Sequence, residues 1–150
     1  MNQSSCLVGL SVVGLGLLPL PSLGMPVAGG NHHEMHSHGI IEVRAGQLAP
    51  TIALEVTPDQ KRGYNLRIKT TNFQFTPGAI NTPSNVNTGH GHLYINGKMV
   101  TRVYCPDFFL PPLAPGRNEI KVSLNGNNHD QIVYQGKPVA ATVVVEVPGK

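Results

Sequence analysis

The sequence predicts an all-β protein built as an antiparallel two-sheet sandwich, and three observations carry that expectation. Apolar side chains recur at every second position in several short runs, which is the period of half-buried strands and not of helices. Thirteen prolines and seventeen glycines in 150 residues interrupt helices wherever they fall inside one. An Asn-Gly pair sits between two apolar runs at Asn96-Gly97, and both central residues of a two-residue type I′ hairpin need positive φ, which these two types tolerate best.

Taken in chain order, Ile52, Leu54 and Val56 alternate with Thr51, Ala53, Glu55 and Thr57. Tyr64, Leu66 and Ile68 alternate with Asn65, Arg67 and Lys69. Ile120, Val122 and Leu124 form a third run, and Ala141, Val143, Val145 and Val147 a fourth. Turn residues fall between them, at Thr57-Pro58-Asp59, Pro115-Gly116 and Asn125-Gly126. The Asn96-Gly97 hairpin predicts that Ile95 faces Lys98, His92 faces Thr101 and His90 faces Val103. About seven strands in this length fit an immunoglobulin-like or cupredoxin-like sandwich. Two segments read as long loops, 76–89 and 106–116, and long connections on a rigid sandwich are where binding function concentrates.

Composition excludes several classes. The length allows one ordinary domain, so a large multidomain enzyme is ruled out. A net charge of +3 without a dense basic patch gives no reason to expect nucleic acid. Residues 1–29 carry no Lys, Arg, Asp or Glu, and Leu7 to Leu20 is an apolar run shorter than the roughly 20 residues a spanning helix needs. The expectation is a signal peptide over 1–29, cleaved after small residues such as Ser22-Leu23-Gly24 or Val27-Ala28-Gly29, and export to a periplasm or the exterior. The mature chain would then have no transmembrane segment. A flexible His/Met-rich tail follows over 30–39, and the sandwich occupies 40–150. Of the two cysteines, Cys6 lies in the segment expected to be removed, so no disulfide framework is expected.

Histidine is the informative residue type. His90 and His92 are two apart, so on a strand they share a face with Cα atoms roughly 7 Å apart. The expected hairpin register puts Cys105 on that face too. His129 follows the strand that ends near Leu124; if that strand lies antiparallel beside the His90 strand, its end meets the other's beginning. Imidazoles and a thiolate from three segments suit copper or zinc, whereas calcium or magnesium would need oxygen ligands that are scarce here. The alternative is a hydrogen-bonded His pair with Cys105 as a small buried filler. In the tail, His32, His33, Met35, His36 and His38 suit loose capture of copper, or else form a solvated linker. Cleavage after Gly29 would start the chain Gly30-Asn31-His32, whose amine, two amides and imidazole make a square-planar set for Cu(II) or Ni(II).

Several segments together carry a resemblance: Asn72-Phe73-Gln74-Phe75-Thr76-Pro77, Gly89-His90-Gly91-His92-Leu93-Tyr94-Ile95-Asn96-Gly97, Arg102-Val103-Tyr104, and Leu124-Asn125-Gly126-Asn127-Asn128-His129. Over roughly residues 62–147 the chain resembles small exported bacterial β-sandwich modules, some of them thought to handle metals. The Gly-His-x-His-Leu-Tyr segment is the most specific part. The resemblance implies recurring histidines at His90, His92 and His129. This chain departs from the pattern at Cys105, where the modules carry Gly, and at Phe109, where they carry His; a site built around that His would be weakened here unless Cys105 supplies the missing donor.

The expected function is therefore exported copper or zinc binding in capture, transfer or tolerance. The ligands would be His90, His92 and His129, with Cys105 or Met99 optional, and another exported protein is a possible partner. The alternative is a non-catalytic immunoglobulin-like adhesion or assembly module with structural histidines. An electron-transfer cupredoxin is disfavoured, because Cys105 and His129 are too far apart in sequence and Met99 precedes both. An enzyme is not expected: no nucleophile elbow, His-Glu-x-x-His helix or paired-carboxylate motif appears, and nothing singles out Asp107 or Asp130.

Overall fold

The structure, a computed structural model, describes residues 39–149. The signal-peptide segment, Cys6 and the tail residues His32, His33, Met35, His36 and His38 lie outside the described residues. Eleven strands form there in two sheets: β1 Ile40–Glu42, β2 Thr51–Pro58, β3 Tyr64–Thr71, β4 Gln74–Phe75, β5 Thr88–Ile95, β6 Lys98–Val103, β7 Asp107–Leu110, β8 Gly116–Asn125, β9 Gln131–Tyr134, β10 Lys137–Pro138 and β11 Ala140–Val147. The smaller sheet has the order β2-β3-β7. The larger is built on β11, β8, β5 and β6 side by side, with β9 joining the end of β8, β1 and β10 flanking β9, and β4 beside β5.

The four alternating runs are β2, β3, β8 and β11, and their apolar residues face inward as the period requires. Leu66 and Ile68 from one sheet meet Leu93, Val103, Ile120 and Val122 from the other in the main core, with Ile52, Leu54, Val56, Val143 and Val145 packed against it. Asn96 and Gly97 both have positive φ, 51° and 79°, as a two-residue hairpin demands.

The sandwich departs from expectation in four places. There are eleven strands where about seven were expected, because five of them have only two to four residues and are too short to show a period. Three of these short strands take part in parallel pairs, β1 with β9 and β4 with β5. Segment 106–116 is not all loop: β7 pairs antiparallel with β3. The fourth departure is the hairpin register. Ile95 pairs with Lys98 as predicted, but a β-bulge on β6, opposite Leu93 and Tyr94 of β5, leaves Val100 without a partner. His92 therefore faces Arg102, and Gly91 faces Val103. One extra residue inverts the parity of everything beyond it.

Candidate metal centre

Strand β5 reads Gly-His-Gly-His because its two faces have opposite tasks. Gly91 faces inward, and a Cβ built there would lie 2.6 Å from Val103 Cγ2 and 2.9 Å from Val122 Cγ1. Any side chain would push β5 off the core beneath it. His90 and His92 take the outward parity, next to Asn125 and Ser123 of β8. An outward face would normally be wet, yet His90 is 0 % and His92 1 % exposed.

Two loops supply the cover. Segment 76–87, which opens with a 3₁₀ turn at Pro77–Ala79, packs over β5. The turn at 126–130 carries His129 and leans on that segment. Asn81 N–H donates to the Asn127 carbonyl at 2.9 Å, Thr76 Oγ1 donates to Asn127 Oδ1 at 2.8 Å, and Asn128 N–H donates to Ser84 Oγ at 3.1 Å. From β8, Asn125 Nδ2 donates to the His129 carbonyl at 3.1 Å while its Oδ1 accepts from Ser123 Oγ at 3.0 Å. His129 itself adopts φ 67°, a left-handed conformation in which His is enriched among non-glycine residues.

The three rings converge. His90 Nε2 lies 3.0 Å from His92 Nε2 and 3.1 Å from His129 Nδ1, and one ligand atom from each of the three lies within 4.8 Å of the others. Nitrogens bound to one ion at about 2.0–2.1 Å stand roughly 3–4 Å apart, and the two separations from His90 Nε2 fall at the short end of that range. His129 Nε2 sits 3.0 Å from Asn81 Oδ1. The Tyr104 ring lies 5.5 Å from that of His90, tilted by 40°. His129 is half-buried, so the cluster meets solvent on its side. The group is compatible with metal binding, and it contains no carboxylate or sulfur among the described residues.

The antiparallel pairing that was to bring His129 to His90 and His92 is present, with His90 opposite Asn125. Cys105 is a different case. It is not among the residues that converge, and its expected place on the histidine face rested on the register that the bulge inverts; Tyr104 is the residue beside His90 instead. Met99 pairs with Tyr94 near the hairpin turn and is exposed. Phe109 lies on β7, half exposed on the outer face of the other sheet, so the departure from the resembled pattern at that position does not touch the triad. Asp107 is on the same strand, bonded to Arg67 at 2.9 Å. Asp130 adjoins His129 in sequence but is not part of the group.

Sequence reasoning missed Asn81, Tyr104 and Asn125. The first lies in a loop marked as long and functionally suspect, yet nothing distinguishes it from Asn85 or Asn87 until the fold is known. Compared with models of protein families, with curated proteins and with solved structures, the chain gives no match.

Proposed function

We propose that this chain is an exported protein that binds copper or zinc through His90, His92 and His129, in capture, transfer or tolerance and without catalysing a reaction. The observation that carries this reading is the meeting of three imidazoles from two separate stretches of chain at 3.0 and 3.1 Å. Neutral nitrogen donors suit copper and zinc, and a set without oxygen ligands does not suit calcium or magnesium. A half-buried third ligand beside two buried ones supports exchange with a donor or acceptor, another exported protein being the natural one. Export itself is supported by residues 1–29 alone.

Metal analysis of protein purified without a tag tests this directly. The expected result is about one copper or zinc per chain, absent from the His90→Ala/His92→Ala variant although that variant keeps its β circular-dichroism signal. Wild-type protein that stays metal-free after incubation with either ion would overturn the reading.

One observation favours the second reading, a non-catalytic adhesion or assembly module. The rings are joined to one another and to Asn81 by hydrogen bonds that need no ion. Under that reading the same incubation yields no bound metal, and the variants lose stability only.

A further inference from the structure

We infer that Asn81 is the positioning residue of the metal centre, selecting which nitrogen of His129 faces the ion; this rests on the metal-binding reading above. A neutral imidazole carries one N–H and one lone pair, and the partner of one nitrogen decides the role of the other. Asn81 Oδ1 can only accept, and it stands 3.0 Å from His129 Nε2. The proton is therefore on Nε2, and the lone pair is on Nδ1. Nδ1 is the atom that points into the cluster, 3.1 Å from His90 Nε2. A ligating histidine whose other nitrogen donates to an oxygen is held in both tautomer and ring orientation.

Asn81 is built to hold that place. Its φ is 65°, a left-handed conformation that asparagine tolerates better than most residues. Its own N–H is tied to the Asn127 carbonyl at 2.9 Å, in the same turn that presents His129. Thr82 Oγ1 donates to the Ala79 carbonyl at 2.6 Å and tightens the loop around it. The amide and the ring it orients are thus braced by one another's backbones, although they are 48 residues apart.

Two variants separate positioning from folding. Asn81→Gly keeps the left-handed backbone and removes the acceptor; Asn81→Asp keeps both the backbone and the acceptor. In metal-free full-length protein, nitrogen NMR of the histidine rings should show His129 protonated on Nε2. In Asn81→Gly the proton should distribute over both nitrogens, and zinc affinity should fall about 10–100-fold. Asn81→Asp should restore both readouts. The inference is overturned if Asn81→Gly leaves the His129 tautomer and the zinc affinity unchanged, or if Asn81→Asp is impaired as badly as Asn81→Gly. The tautomer is read without metal, so a protein that binds no zinc or copper would sink the metal reading while the NMR still decides whether Asn81 orients the ring.

Discussion

The ladder formed by β5 and β8 buries polar side chains at both of its ends, and the two ends are put together differently. Near the hairpin turn, Asn118 is 1 % exposed. Its Nδ2 donates to the carbonyls of Ala114 and Gly116 at 2.8 and 3.0 Å, and its Oδ1 accepts from Asn96 Nδ2 at 3.1 Å. Asn96 Oδ1 in turn accepts from the Glu119 N–H at 2.8 Å. Donors meet acceptors of a different kind, and the amides are used up in fastening the turn to the strand. At the opposite end, groups of one kind meet each other: the imidazole nitrogens of His92 and His129 gather around His90 Nε2. Complementary partners fasten a structural amide, whereas converging imidazole nitrogens are compatible with holding an ion.

The largest effect should come from the histidine end. Saturating zinc or copper is expected to stabilise the wild type by about 4 kcal/mol when free metal exceeds the dissociation constant a thousandfold. The gain should vanish in His90→Ala/His92→Ala and survive in Asn118→Ala, which thermal melts with and without metal would show. An equal gain in all three proteins would erase the distinction between the ends. Next in size, Asn118→Ala leaves two backbone carbonyls and Asn96 without their partner. It should cost about 2 kcal/mol whether or not metal is present, measured by denaturant unfolding; a metal-dependent cost would show that the ends are coupled.

A smaller loss, about 1 kcal/mol or somewhat more, is expected for Gly91→Ala, whose new methyl meets Val103 and Val122. Adding Val103→Ala should make the pair less destabilised than the sum of the singles. Strict additivity would mean that the glycine is needed for another reason.

The smallest effects belong to the outer face of the other sheet, where charges are solvated. The Glu55 carboxyl is held below the usual carboxylate range by its hydrogen bond to Lys69 and by that ammonium's charge. Asp59 is lowered by the backbone N–H groups of Lys61 and Arg62 and by Asn65. Groups lowered in the folded state stabilise it above their unfolded pKa, and the contribution is lost as pH falls through the lowered values. Lys69→Met should therefore flatten the acid limb of a stability–pH curve slightly, and high salt should mask the difference. A steep change would contradict the solvated character of that face.

Much of this fold was legible from local pattern. Ile52 to Val56, Tyr64 to Ile68, Ile120 to Leu124 and Ala141 to Val147 each disclose a strand and its inward face, because side chains alternate whatever the partner strand is. Asn96-Gly97 discloses the hairpin, and the shared face of His90 and His92 follows from spacing alone. The two- and three-residue strands do not show, since they exist only through pairing with neighbours such as β9 and β5. Cys105 illustrates the limit: its expected side was inferred by counting across a turn, and the unpaired Val100 makes such a count fail.

Local chemistry thus determined the strands, their faces, the turn and the outward parity of two histidines, all of which depend on residues a few positions apart. The register of β6, the burial of an outward face, the arrival of His129 and the hold of Asn81 upon it were decided only by the folded chain. The β6 register turns on one residue, Val100, that the hairpin leaves unpaired, while the arrival of His129 and the hold of Asn81 depend on hydrogen bonds between residues about 40 to 50 apart in sequence, whose partners no local period encodes.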